Sequence, residues 1–117
     1  MNCGACAFAV ERRLNGDQSA VASLQNIPTD GEMELATGKK CRYMSPSDIE
    51  STLRTMGAGS HLIAGINRRH PSGKSIAGHW FNVFYDGNKV YTIDGQSGEI
   101  LEFPHDYGYV SEWCALI

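Results

Sequence analysis

The sequence predicts one α+β domain, with helices in its first half and an antiparallel sheet in its second half. Two observations carry this prediction. Apolar residues recur at helical spacing near the start of the chain and again after residue 45, and two alternating apolar segments flank the turn Asp86-Gly87-Asn88. The chain has 117 residues, of which 42% are hydrophobic and 20% are charged. This composition is ordinary for a globular protein, and the length fits residues 1–117 as a single domain.

The first helix is expected from Cys3 or Gly4 to Asn15, with Gly16 just past its end as a stop. Cys3 thus stands at the helix start, and Cys6 lies about 60° to one side of it. One apolar stripe is predicted on this helix: Cys3, Ala7, Val10 and Leu14.

A second helix is expected to begin at Ser45, which can cap it, with Pro46 in its first turn and Gly57 at its end. Residues 15–44 are rich in Pro, Gly, Asn, Asp and Thr, which indicates loops around short elements. Strands are predicted over 61–66, 80–85, 89–94 and 100–103, and a polar loop over 68–78.

The register of the predicted hairpin decides which side chains share a face of the sheet. With an even-numbered loop Tyr85 lies opposite Val90, so His79 projects from the same side as Asp94 and Gln96. A three-residue loop would shift the register by one and send Asp94 to the other face.

These placements suit a cysteine nucleophile. A thiol is reactive as its thiolate, and the positive end of a helix and a nearby imidazolium both favour that form. Cys3 lies at the positive end of a helix, and His79 can supply the imidazolium. Asp94 would orient the imidazole. The backbone amides at the start of the helix can stabilise an oxyanion.

Each residue also has a structural interpretation. Cys3 can be a small buried apolar residue, His79 the end of a loop and Asp94 a turn residue. Cys3 and Cys6 can also be half of a zinc site, although no second metal-binding pair completes it. The redox states of Cys3, Cys6, Cys41 and Cys114 stay open. Cys3 at a helix start, His79 at a strand start and Asp94 on the same face of the sheet all fit one catalytic site. This agreement favours catalysis over three unrelated structural roles.

Other histidines are weaker candidates. His61 begins a strand but has no paired acid in the sequence, and His70 and His105 adjoin prolines in segments expected to be exposed loops.

Charge and hydropathy argue against two classes of partner. The net charge is −3, and the basic residues form only short clusters, so a nucleic-acid interface is not expected. No apolar run approaches the ~18–20 residues that span a bilayer, so a membrane is not expected either. Because the Cys3 motif lies at the very start, we expect a catalytic domain excised from the C-terminus of a longer polypeptide, with any export signal elsewhere.

Three motifs together resemble the papain-fold toxin domain of bacterial polymorphic toxins, a family regarded as protein-glutamine deamidases. They are residues 2–7 (NCGACA), 78–83 (GHWFNV) and 93–98 (IDGQSG). The resemblance implies a compact papain-like cysteine-hydrolase fold, in which the N-terminal helix carries the nucleophile and packs on the sheet. Residues 17–60 carry little of the family pattern, so target recognition does not follow from it.

By this resemblance Cys3 is the nucleophile, His79 the general base and Asp94 the orienting acid, with Gln96 and Asn2 as assisting residues. A rival alignment with papain's own cysteine motif makes Cys6 the nucleophile instead. No metal or organic cofactor is implied.

The resemblance also implies partners. These are a target protein with a reactive glutamine and a cognate immunity protein, for an effector that is secreted or injected and acts in the cytoplasm of the target cell. A cysteine peptidase or deubiquitinase-like hydrolase shares this chemistry, and a catalytically silent binding module on the same scaffold is the rival of another class.

Overall fold

The computed structural model describes residues 2–117, which form three helices and an antiparallel sheet of six strands. The helices are α1 (Cys3–Leu14), α2 (Asp30–Thr37) and α3 (Pro46–Met56). The strands are β1 (Cys41–Tyr43), β2 (His61–Arg69), β3 (Ser75–Tyr85), β4 (Val90–Asp94), β5 (Glu99–Glu102) and β6 (Val110–Leu116). Their order across the sheet is β1-β6-β2-β3-β4-β5. The α+β prediction is confirmed.

The sheet is covered on both faces, which explains why β2 reads as a continuous apolar segment. On one face, Ile49 and Leu53 of α3 pack against side chains that alternate along β2 and β3: Leu62, Ala64, Ile66, Phe81 and Val83. On the other face, α1 and α2 pack against Ile63 of β2, Trp80 of β3, and Cys114 and Leu116 of β6.

Helix α1 begins and ends as predicted to within one residue, but its buried stripe differs from the predicted one. Cys3 and Ala7 are buried, whereas Val10 and Leu14 are half-buried and Glu11 is buried in their place. Glu11 tolerates burial because its carboxylate accepts hydrogen bonds from the sheet below it. Polar contacts with β2 and β3, as well as apolar packing, therefore hold this helix against the sheet.

Those contacts come from His61 and Asn82. Glu11 Oε1 lies 2.7 Å from His61 Nδ1, and Asn82 Nδ2 donates to Glu11 Oε2 at 3.3 Å and to the Ala7 carbonyl at 3.0 Å. The expectation that His61 lacks a paired acid is wrong, because its partner lies fifty residues away in sequence. The contacts fix α1 along its axis, and with it the position of Cys3.

The α3 and hairpin predictions are confirmed. Ser45 Oγ accepts from the Asp48 amide and α3 ends at Gly57. Tyr85 lies opposite Val90 across a four-residue loop, the even-numbered register. Gly87 adopts φ +98°, while Asp86 Oδ1 accepts from the amides of Asn88 and Lys89, each at 2.7 Å. Within the turn at residues 86–89, Gly87 alone has a positive φ.

Helix α2 and strand β1 are the short elements within residues 15–44, whose type and bounds the sequence left open. Strand β6 was not predicted, and one loop was predicted too long. The polar loop is limited to residues 70–74, because β2 extends to Arg69 and β3 begins at Ser75. These extensions pair with each other, and β2 also pairs with β6, so neighbouring strands override a polar local sequence.

No helix within residues 2–117 is both long enough and apolar enough to cross a membrane.

Candidate active site

Strands β3 and β4 separate where the first turn of α1 meets the sheet. Their last pair is Asn82 with Ile93, and β3 continues beyond it through His79. The backbone after β4 passes against α1, since a Cβ added at Gly95 would lie 2.9 Å from Val10 Cγ2. This separation brings the start of the helix, His79 and the end of β4 together.

Cys3 opens α1 and is 7% exposed. Burial pushes the pKa of its thiol upward, but hydrogen bonds from the His79 side chain and from the backbone amides of Trp80 and Gly4 outweigh it and lower the pKa below its ordinary value. The other three cysteines differ, because burial raises the pKa of each of them. Cys3 is therefore the thiol that this structure favours as thiolate.

His79 bonds to Asp94 through one ring nitrogen, with Nε2 lying 2.7 Å from Asp94 Oδ2. Both side chains are at most one-tenth exposed. Burial opposes protonation of the imidazole, yet hydrogen bonds with Cys3 and Asp94 raise the pKa of His79. Since Nε2 is engaged by Asp94, Nδ1 is the nitrogen left for the thiol.

Asp94 accepts four hydrogen bonds. Oδ1 accepts from the amides of Gln96 and Ser97 at 3.0 and 3.1 Å, and Oδ2 accepts from Tyr107 Oη at 2.8 Å as well as from His79. Burial alone would raise the pKa of Asp94, but these donors lower it. A carboxylate with this many donors is held ionised and in one orientation.

Gln96 does not continue the β3–β4 ladder, contrary to the prediction that it shares a face with His79 and Asp94. The chain leaves β4 after Asp94 and turns through residues 95–98, so Gln96 is exposed in the turn that precedes β5. Its contribution to the site is its backbone amide. The hairpin register is right, but the ladder stops before Gln96, because α1 occupies the space beside Gly95.

Asn2 and Cys6 face each other rather than His79. The Cys6 thiol donates to Asn2 Oδ1 at 3.5 Å across the first turn of α1. Burial and the nearby charges of Cys3 and Asp94 raise the pKa of Cys6. Cys6 is thus the less ionised thiol of the two, which favours Cys3 over the alignment that makes Cys6 the nucleophile.

The remaining cysteines and histidines lie in other surroundings. All four cysteines are free thiols, and in the part of the chain that the structure describes no three His, Cys, Asp or Glu side chains are grouped to hold a metal ion. His70 is exposed, as expected, whereas His105 is half-buried because its ring packs 4.6 Å from that of Tyr107. Tyr107 itself was missed in sequence, since nothing local marks its loop as part of the site.

A cavity of about 210 Å³ opens beside Cys3 and His79 on the α1 side of the sheet. Its walls include Trp80, whose indole donates to the Pro28 carbonyl at 3.3 Å, and Gly65. A Cβ at Gly65 would lie 2.7 Å from the Trp80 ring, so this glycine lets the indole lie against β2. Asp30 and Asn67 add polar groups to the lining.

A thiol at a helix start, against an imidazole–carboxylate pair on an antiparallel sheet, is the arrangement expected of a papain-like fold. Residues 1–99 match the family model described as papain fold toxin 1, glutamine deamidase, and the chain belongs to this family. The predicted resemblance is confirmed. A comparison with curated proteins gave no significant match, and neither did one with solved structures.

Proposed function

We propose that this domain is a cysteine-dependent protein-glutamine deamidase in which Cys3, His79 and Asp94 form the catalytic triad. The observation that carries the proposal is the hydrogen bond between His79 and Asp94 at 2.7 Å, on an imidazole that lines the same cavity as Cys3. The family supplies the reaction class, glutamine deamidation.

Acylation begins with Cys3 as thiolate and His79 as imidazolium. The sulfur attacks the side-chain carboxamide carbon of a glutamine in the target protein, and the carbonyl oxygen becomes an oxyanion. His79 then gives its proton to the amide nitrogen, which leaves as ammonia, and a thioester remains on Cys3. Asp94 keeps the imidazolium in line throughout, because its own four donors hold it in place.

Deacylation uses the same groups in reverse. Neutral His79 takes a proton from water, and the resulting hydroxide attacks the thioester carbon. The Cys3 thiolate leaves, and the glutamine has become glutamate. His79 carries the proton in both half-reactions, so the acid–base steps need no titratable group beyond the triad.

The oxyanion is stabilised by the N-terminus of α1. The amides of the first helical turn lack intrahelical partners and carry the positive end of the helix dipole. The Asn2 carboxamide lies on the same turn and is the side chain we assign as an assisting donor. Each such donor is worth about 10²–10³ in rate in comparable sites.

The cavity beside Cys3 receives the glutamine side chain. It adjoins both Cys3 and His79, and Trp80 supplies an apolar wall for the methylene groups. Asn67 and Asp30 are the polar groups that we assign to orienting the target backbone around the glutamine. On this basis the substrate is a protein segment that presents glutamine from an exposed loop.

The partner and the location that we propose rest on the family alone. A toxin domain of this kind acts as an effector inside a target cell, and a cognate immunity protein would cover the cleft at Cys3 and protect the producing cell. We also propose that residues 1–117 are the C-terminal domain of a longer polypeptide.

The test is incubation of the domain with lysate of a susceptible cell, followed by mass spectrometry of the proteins. Deamidation adds one dalton at a single glutamine and leaves the chain intact, whereas a cysteine peptidase or deubiquitinase-like enzyme produces a cut chain. A parallel incubation with Cys3→Ser removes the background of spontaneous deamidation. Cut chains that depend on Cys3 would overturn the deamidase proposal.

The alternative of a catalytically silent binding module can be tested without knowing the target protein. Both Cys3 and Cys114 are buried, but the pKa of Cys3 is lowered and that of Cys114 is raised, so an activated site alkylates at Cys3 faster than at Cys114. Equal alkylation of the two thiols in the folded domain would contradict an active nucleophile.

A further inference from the structure

Tyr107 completes the hydrogen bonding of the site from a part of the chain outside the family match. It lies in the loop between β5 and β6, beyond residue 99, where the match ends. Its hydroxyl donates to Asp94 Oδ2 at 2.8 Å, the same oxygen that His79 Nε2 contacts. The two donors converge on one carboxylate oxygen.

The Tyr107 ring also covers the imidazole. The two ring centroids are 4.9 Å apart with a tilt of 55°, and Phe81 lies 5.2 Å from the Tyr107 ring on the sheet side. Packed this way, the phenol shields the His79–Asp94 bond from solvent. Hydrogen bonds in such a water-excluded setting are stronger than exposed ones.

The loop that carries Tyr107 is tied to the sheet by Arg68. The guanidinium donates to the Tyr107 carbonyl at 3.3 Å through Nη1 and to the Ala77 carbonyl at 2.7 Å through Nε. Ala77 precedes His79 by two residues on β3. Arg68 therefore links the backbone of the loop to the strand that carries the imidazole.

We propose that Tyr107 is a positioning residue of the deamidase site, which acts on His79 through Asp94 and is supplied by the C-terminal loop that the family pattern does not cover. The inference rests on the proposed function. Tyr107 does not touch the reacting atoms. Its hydroxyl takes up part of the charge on Oδ2 and so sets how strongly Asp94 holds the imidazolium.

Because the Tyr107 hydroxyl takes up part of the charge on Asp94 Oδ2, the direction in which its removal shifts the His79 pKa can be predicted. In Tyr107→Phe the ring stays and the hydroxyl is lost, so His79 is the one side-chain donor left on Oδ2. More negative charge then faces the imidazolium, and the pKa of His79 rises. The thiolate–imidazolium pair persists to higher pH, which moves the upper inflection of the Cys3 alkylation profile in the same direction.

The experiment is NMR titration of the His79 ring in the ¹⁵N-labelled full chain, for the original protein and Tyr107→Phe. Alkylation of Cys3 by iodoacetamide is followed over the same pH range. Tyr109→Phe is the matched control, because Tyr109 is a phenol in the same loop, is 55% exposed and packs on His70 instead of His79.

A double-variant comparison identifies the route. If Tyr107 acts through Asp94, Tyr107→Phe shifts the His79 titration in the original protein and leaves it unmoved in an Asp94→Asn background. Arg68→Met, which releases the loop but keeps the hydroxyl, provides a second perturbation and should shift the His79 titration upward by less than Tyr107→Phe does.

An upward shift in Tyr107→Phe that is absent in Tyr109→Phe supports the proposal. A His79 titration that stays in place or moves downward overturns it, as does a shift of equal size in the Asp94→Asn background. The proposed function fails by a different result: Cys3 in the original protein alkylates no faster than Cys114.

Discussion

His79 presents Nε2 to Asp94 Oδ2 at 2.7 Å, and this choice of ring nitrogen leaves Nδ1 to the Cys3 thiol. The ring has two nitrogens, so one imidazole can serve the carboxylate on β4 through Nε2 and the thiol at the helix start through Nδ1. The arrangement depends on where β3 and β4 separate. If their ladder continued past Asn82 and Ile93, β4 would occupy the space that α1 takes beside His79.

Removal of His79 should cost more activity than removal of any other polar side chain of the site except Cys3. We expect His79→Ala to lower the deamidation rate by roughly 10²–10⁴, because both proton transfers lose their carrier. The measurement is the rate of one-dalton conversion of the target glutamine. A rate within a few-fold of the original would remove His79 from the mechanism.

Asp94→Ala and Gln96→Ala should differ sharply. Asp94→Ala removes the acceptor of the His79 bond and leaves its former donors without a partner, so we expect a large loss of rate. Gln96 contributes only its backbone amide, which alanine keeps, so Gln96→Ala should retain nearly full activity. The same conversion assay ranks the two, and a dead Gln96→Ala with an active Asp94→Ala would contradict the role given to the carboxylate.

The two cysteines of the first helical turn should react with iodoacetamide at different rates at low pH. Cys3 has a lowered pKa and Cys6 a raised one, so at pH 6 a larger fraction of Cys3 is thiolate. Iodoacetamide at that pH should label Cys3 before Cys6, Cys41 or Cys114, as measured by peptide mapping of the reduced, folded domain. The rate advantage of Cys3 should shrink as the pH rises and the other thiols ionise.

Substitution of the same two residues gives the matching activity test. Cys3→Ala should abolish deamidation without unfolding the domain, whereas Cys6→Ala should keep at least part of the activity, since its thiol only bonds to Asn2. Circular dichroism checks the fold of both. An inactive Cys6→Ala beside an active Cys3→Ala would show that Cys6 is the nucleophile.

Helix α1 packs so closely against the backbone at Ile27 that Gly4 should tolerate no added side chain. A Cβ there would lie 1.9 Å from the Ile27 carbonyl oxygen, which is backbone and cannot rotate away. We expect Gly4→Ala to destabilise the domain by about 3 kcal/mol, the upper range for overpacking. Urea unfolding measures this loss of free energy.

Gly31 in α2 is the matched control. A Cβ at Gly31 meets nothing within 4 Å, so Gly31→Ala should stabilise the domain by roughly 0.5–1 kcal/mol through helix propensity. If Gly4→Ala and Gly31→Ala unfolded at the same urea concentration, the close approach of the Ile27 carbonyl to α1 would be wrong.

The sequence by itself determined the elements whose signals are local. Ser45 caps α3 and the turn at residues 86–89 sets the hairpin register, because both depend on residues a few positions apart. The period of two along a strand then carries that register to His79 and Asp94. For this reason the same-face placement of imidazole and carboxylate was predictable before any coordinates.

Tertiary structure alone decided which distant groups meet. Glu11 with His61, and Tyr107 with Asp94, join segments that no local pattern relates, and β6 became a strand only because β2 and β1 pair with it. Gln96 was misplaced for the same reason, since helix α1, not the hairpin turn, determines where β4 ends. Packing between elements is a property of the assembled chain, and a pattern of period two or 3.6 carries no information on which partner a side chain will find.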